Sequence, residues 1–343
     1  MTAAPRYNPG FMEPILTIQQ AKRSFGEVHA LRGVSFDMAA GEVVALLGPN
    51  GAGKSTLIRS ITTLENLDAG SISVCGVSVQ DNPRAARAFL GYAGQESALD
   101  KVLTGREFLR FQGGLVHLPK AQILPRVEEL LARFGLQDAG DRRLETYSGG
   151  MARRLDLAAS IMHQPKLLIL DEPSSGLDYD ARRELWQMLG ELREEGTALL
   201  LATHDFEEAD VLSSRAVMMS HGEVVGSGTP DELRTNLGSW ILAASLHEHQ
   251  VPEDRERLRT LFSEVSGVEM PPNPQSSEYA KAVPPGQDMA PDGRNWSEWL
   301  RDHAAQQGVE LVSVGLRRPT LQDAYLAATH QQTSTASTAE VSA

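Results

Sequence analysis

Runs of consecutive apolar residues recur through the first two thirds of the chain, at Val43–Leu47, Leu167–Leu170 and Leu199–Ala202. Unbroken apolar runs of this length predict strands buried on both faces, as in a parallel sheet. Between them, Ile123, Val127, Leu130, Leu131 and Phe134 fall at helical spacing and stop at Gly135, a residue type that commonly ends helices. Strands alternating with helices predict an α/β core over residues 14–238, carrying a mostly helical insertion around 97–145. Ala216–Val225 reads as a hairpin turning at His221–Gly222.

Before and after this core the pattern changes. Pro5, Pro9 and Gly10 break up residues 1–13 and predict a tail. Beyond about 239, the pattern predicts a strand (Trp240–Ser245), a charged helix (Pro252–Val265), a second helix (Asn295–Gln307), a strand (Val309–Val314) and a last helix (Thr320–Ala328). Pro271, Pro272, Pro274, Pro284, Pro285 and Pro291 predict a long loop inside this stretch. Residues 239–329 thus read as a small α+β module, and 330–343, rich in Ser, Thr and Ala, as a disordered tail.

Composition narrows the function. The balance of 32 basic against 45 acidic residues, a net charge of −13, is unfavourable for a surface that must meet nucleic-acid phosphates. Cys75 is the only cysteine, which rules out an internal disulfide and a cysteine-cluster metal site. The apolar runs fall far short of the roughly 20 residues of a membrane span, and the first residues lack the apolar core of a secretory signal. The expectation is a soluble cytosolic chain whose membrane work, if any, goes through a partner.

Gly48-Pro49-Asn50-Gly51-Ala52-Gly53-Lys54-Ser55 matches the eight-position phosphate-loop pattern in full, after a predicted strand and before a predicted helix, Thr56–Ile61. Glycines let the backbone curl so that its N–H groups converge on phosphate oxygens, and the helix N-terminus adds partial positive charge. Lys54 is placed to neutralise the β- and γ-phosphates, and Ser55 to offer its hydroxyl to Mg²⁺. The strand Leu167–Leu170 runs into Asp171 and Glu172, one acid for the metal and one to take a proton from the attacking water. Between these motifs lies Tyr147-Ser148-Gly149-Gly150-Met151, with Ser148 as candidate N-cap of a helix over Met151–Met162 and with free glycine amides that suit an anion.

Together, these segments resemble the ATP-binding cassette (ABC) transporter ATPase family over residues 14–238. The resemblance implies a P-loop NTPase core of the α/β class, with an antiparallel β subdomain and a helical subdomain at about 97–163. It implies that Phe25 stacks on adenine where tyrosine is more usual, and that the loop Gly48–Thr56 holds the phosphates. Gln95 would touch Mg²⁺ and pass motion to membrane subunits, while His204 would contact the γ-phosphate. Ser148, Gly149 and Gly150 would serve the ATP of a second subunit, and Ser175-Gly176-Leu177-Asp178 would be a dimer-contacting loop. The Tyr-Ser-Gly-Gly-Met form resembles the drug-resistance exporter branch. So does Pro319-Thr320-Leu321-Gln322-Asp323-Ala324-Tyr325-Leu326, although Gln322 replaces the usual acid.

The expected protein is therefore an ATP hydrolase using ATP and Mg²⁺. It would act as a homodimer on separate membrane permease subunits at the inner face of the plasma membrane, with no nucleic-acid partner. Export is the leading reading, with an importer subunit or a non-transport ABC ATPase as alternatives. The cargo is not encoded in this chain's motifs.

Overall fold

The computed structural model describes residues 14–95, 100–246, 252–265, 267–269, 278–284, 286–287 and 289–340. The expected tail 1–13 and the first part of the proline-rich stretch, 271–277, lie outside them. The chain divides into two compact units between Val224 and Val225, earlier than the change of composition at 239 suggested.

The first unit holds β1 (Leu16–Phe25), β2 (Val28–Met38), β3 (Val43–Leu47), α1 (Lys54–Ile61), β4 (Ala69–Val74), β5 (Val77–Ser78), α2 (Pro83–Arg87) and β6 (Leu90–Ala93). It continues through α3 (Gly105–Leu115), α4 (Lys120–Arg133), α5 (Gly149–Ser160), β7 (Leu167–Asp171), α6 (Tyr179–Glu194), β8 (Ala198–Thr203), α7 (Phe206–Leu212) and β9 (Arg215–Ser220), and β10 (Glu223–Gly228) closes the hairpin at the junction. Strands β2-β1-β4-β5 form an antiparallel sheet, and β10-β9-β3-β8-β7-β6 form a second sheet. Strands β9, β3, β8, β7 and β6 of that second sheet run parallel.

Two cores explain why the central strands read as unbroken apolar runs. Val44, Leu46, Ile169 and Leu200 pack with Leu57, Ile58 and Ile61 of α1 and with Ile18, Leu31 and Ile72 of the antiparallel sheet. Their neighbours Val43, Leu168, Leu170, Leu199 and Leu201 point the other way, onto Phe108, Leu130, Leu157 and Leu189 of the helices and Phe134 at the end of α4. Both faces are covered, so alternation disappears from the sequence. Helix α3 starts with a capping box between Thr104 and Glu107, and α5 starts at Ser148, whose Oγ accepts from the Met151 amide.

The second unit contains α8 (Pro230–Thr235), β11 (Trp240–Leu246), α9 (Pro252–Glu264), β12 (Val268–Glu269), β13 (Glu278–Val283), α10 (Trp296–Gln306), β14 (Leu311–Arg317) and α11 (Leu321–Glu340). Its antiparallel sheet has the order β12-β13-β11-β14. Leu258, Leu261, Trp299 and Leu300 pack on one face of β11, and Ala327 joins Ile241 and Ala282 on the other. Strand β13 falls where a proline-rich loop was expected. The prolines hide a short run, and its one cation, Lys281, is buried with Nζ donating to the Phe262 carbonyl at 2.8 Å. Helix α11 runs on to Glu340, through residues read as a tail, because 331–340 contain neither Gly nor Pro to stop it. The Pro319–Leu326 segment turns out to be a helix start. Thr320 and Asp323 bond each other's amides, and Arg317 clamps the Asp323 carboxylate at 2.6 and 2.9 Å. Arg317 and the Thr320 bonds outweigh burial and hold the Asp323 carboxyl below its usual range.

Candidate nucleotide site

Four segments of the site leave the C-terminal ends of parallel strands, and the register makes those ends level. Leu47 of β3 lies beside Thr203 of β8, Asp171 of β7 beside Ala202, and Ala93 of β6 beside Leu170. The phosphate loop, Asp171–Glu172, His204 and Gln95 therefore emerge along one edge, where open α/β sheets bind ligands. A cleft of about 660 Å³ opens there, lined by Phe25, Pro49, Asn50, Gly51, Gly53, Lys54, Ser55, Thr56, Gln95, Glu172 and His204.

The loop's glycines are forced by geometry. Gly53 has φ of 101°, and a Cβ there would lie 2.5 Å from the Ala30 carbonyl oxygen; at Gly48 it would lie 2.4 Å from that of Met219. Lys54 is buried and folds back, its Nζ donating to the carbonyls of Gly48 at 2.5 Å and Pro49 at 3.2 Å. Burial holds its ammonium below the usual lysine range, against the pull of Glu172 and Asp171. That group is a desolvated cation at the first residue of α1, beside the glycine-bent loop, a setting that suits a polyphosphate.

Glu172 has φ of 49°, an uncommon conformation for a non-glycine residue, while its amide still donates to the Ala202 carbonyl of β8 at 2.8 Å. The turn brings its carboxylate to 2.7 Å from His204 Nδ1 and 3.9 Å from Lys54 Nζ. His204 remains 58% exposed towards the cleft, between Thr203, which accepts the Asp205 amide, and Asp205, which caps α7. Asp171 is buried. Burial and the adjacent Glu172 push its carboxyl above the usual range, opposed by Lys54 and by a hydrogen bond with Ser55.

The donors present suit a hard cation. The Ser55 hydroxyl bonds Asp171, and Gln95 lines the same cleft. Among the described residues no cluster of three or more His, Cys, Asp or Glu could hold a metal ion by itself. A few oxygen donors completed by substrate phosphates is the arrangement typical of Mg²⁺.

Not every expected residue lies in the cleft lining. Gly48 and Ala52 shape the loop from behind, with Gly48 accepting from Lys54 and the Ala52 carbonyl accepting the Gly222 amide at 3.0 Å. Ser148 and Gly149 are exposed at the head of α5, and Asp178 caps α6 through the Ala181 amide at 2.8 Å; none of the three, nor Gly150, lines the cleft. Conversely, Glu27, Val28, His29, Ala30, Arg32 and His221 line it without having been expected. The one hint in the sequence is Gly222, where a Cβ would stand 2.7 Å from the Ala30 oxygen, so this turn must press on β2.

Fold and site together define a P-loop nucleotide-binding protein. The family model for the ABC transporter matches residues 31–175. The daunorubicin resistance ATP-binding protein DrrA2 of Streptomyces coeruleorubidus is 40% identical over 316 residues, 91% of this chain and 94% of that protein. The doxorubicin resistance ATP-binding protein DrrA of Mycobacterium tuberculosis is 36% identical over 312 residues, 90% of this chain and 91% of that one. A solved ATP-binding subunit of an ABC transporter superposes with a TM-score of 0.60 at 31% identity, covering 65% of this chain and 92% of its own. The chain belongs to the ABC transporter family, among its drug-resistance ATP-binding proteins, and is an ATP-hydrolysing subunit of that family.

Proposed function

We propose that two copies of this chain close on two ATP molecules and drive export through separate membrane permease subunits, from the cytoplasmic face. The observation that carries the reading is the half-built site: phosphate loop, Glu172, His204 and Gln95 line one cleft, while Ser148 and Gly149 stand exposed and, with Gly150, lie outside its lining. Ser148–Gly150 present the turn and helix start of an anion site but do not line this chain's own cleft, so the ATP they serve is a second copy's. Phe25 offers a half-exposed ring for adenine, with Arg23 over it at 4.7 Å. In the same reading Lys54 neutralises the β- and γ-phosphates. Glu172, held by His204, takes the proton of the attacking water.

Ser55, Asp171 and Gln95 hold Mg²⁺, which when bound screens the charge of the phosphates. Export rather than import is favoured by the drug-resistance relatives, whose match over 91% of this chain must extend into the C-terminal unit. No described helix is long and apolar enough to cross a membrane, which is why transport is assigned to a partner.

The test mixes two damaged chains. In Lys54→Ala every site lacks a working loop, and in Ser148→Asp every site lacks a working Ser148 turn. A mixed dimer has one site damaged twice and one intact. With Glu172→Gln added to both to prevent turnover, the mixture is expected to occlude ATP that neither variant occludes alone. If exchange between chains is demonstrated and occlusion does not appear, the shared site is wrong.

A further inference from the structure

Arg153 lies in the second turn of α5, behind Ser148, and is only 8% exposed. Its guanidinium meets three main-chain carbonyls from segments far apart in the sequence: Nη1 donates to Gly94 at 2.5 Å, Nε to Pro173 at 2.9 Å and Nη2 to Asp171 at 3.3 Å. Asp156, one turn further along α5, accepts from Nη1 at 3.2 Å and steadies the fork. Each carbonyl is next to a residue of the nucleotide site. Gly94 precedes Gln95, Asp171 is the buried acid beside Ser55, and Pro173 follows Glu172.

We propose that Arg153 is a positioning residue for hydrolysis: it locks the helix that carries Ser148 to the three segments that carry Gln95, Asp171 and Glu172. It touches no substrate. Its planar fork fixes the relative placement of those segments, whose side chains must meet the γ-phosphate and its metal together. Glu172 especially needs this, because its left-handed backbone is not a conformation it would keep unaided. The proposal rests on the reading that Gln95, Asp171 and Glu172 act on ATP.

The test uses the full chain with Arg153→Lys, which keeps the charge but cannot span three carbonyls with one ammonium, and Arg153→Met as the uncharged control. Hydrogen exchange of apo protein is expected to accelerate at least fivefold at 92–95 and 171–175, with Val43–Leu47 unchanged. The turnover number is expected to fall tenfold or more, while KM and the dissociation constant for ATP stay within threefold. Unchanged local exchange, or a turnover number within twofold of the parent despite faster exchange, overturns the proposal. So does a general rise in exchange with matching loss of ATP affinity, which would make Arg153 a fold residue only. A parent chain without ATPase activity would instead strike the reading of the site, and the exchange comparison would still judge the clamp.

Discussion

Ser148 carries two duties that one substitution can separate. Its Oγ accepts the Met151 amide at 3.2 Å, capping α5, and its exposed turn is the surface offered to a second copy's ATP. Aspartate caps helices about as well as serine, and its charge is favourable at a helix N-terminus by about 0.3–1 kcal/mol. Ser148→Asp is therefore expected to leave thermal stability unchanged or slightly raised. Ser148→Ala loses the cap, about 1 kcal/mol, or roughly 2–4 °C in a unit of this size. Function orders the two variants the other way. A carboxylate placed about 4 Å from a phosphate charge costs about 4 kcal/mol at an effective dielectric constant near 20, about a thousandfold in closure. Alanine removes one hydrogen bond of about 1 kcal/mol, a fewfold effect. The assay pairs thermal unfolding with steady-state ATPase and with ATP affinity measured under conditions that keep the chains apart, where both variants are expected to match the parent. Ser148→Asp that is fully folded and hydrolyses within fivefold of the parent would refute the placement of this turn against phosphate.

Four further substitutions probe the cleft. Phe25→Ala is expected to weaken ATP binding by about 1–2 kcal/mol, the scale of one aromatic stack with its buried area, while Phe25→Tyr is neutral; equal affinities for Phe and Ala in an equilibrium titration would place the adenine elsewhere. Lys54→Ala removes the one buried cation that bonds the Gly48 and Pro49 carbonyls, and tight Mg-ATP binding is expected to vanish in the same titration. Glu172→Gln is expected to bind ATP normally but turn over about 10²-fold or more slowly, accumulating an ATP-bound dimer visible by size-exclusion chromatography; normal turnover would place the base elsewhere. Asp171→Asn gives a pH signature in metal-free protein. The folded state raises the Asp171 carboxyl pKa, so in the parent this group costs stability as pH rises from the unfolded value, about 4, through the raised one. The variant is expected to gain stability over the parent at neutral pH and to lose that gain on acidification, as followed by thermal unfolding across pH; a gain independent of pH would contradict the assignment.

What was legible in the sequence follows from what chemistry restricts. A phosphate loop tolerates few residues, since Gly48 and Gly53 face carbonyl oxygens where no Cβ fits, and so the pattern survives as text. Asp171, Glu172 and His204 were legible for a similar reason: each stands at or just past the polar end of an otherwise apolar strand, a change of character that stands out. His29, Arg32 and His221 line the same cleft but sit on half-exposed strands and a turn, where such residues are ordinary. Arg153 was hidden more deeply. Written beside Arg154 it is one of two helix charges, and only the folded chain shows that it reaches three backbone carbonyls while Arg154 pairs with Glu184 at 3.1 Å. Main-chain partners leave no mark on the sequence of the partner. The same applies to the level strand ends: Leu47 against Thr203 and Asp171 against Ala202 are matters of register, which sets the distance from Lys54 to Glu172 and from Glu172 to His204. Residue types announced the reaction, whereas the spacing that makes them one site is held by backbone contacts. Substitutions that disturb only those contacts, Arg153→Lys first among them, are therefore expected to slow hydrolysis with every recognisable motif still in place.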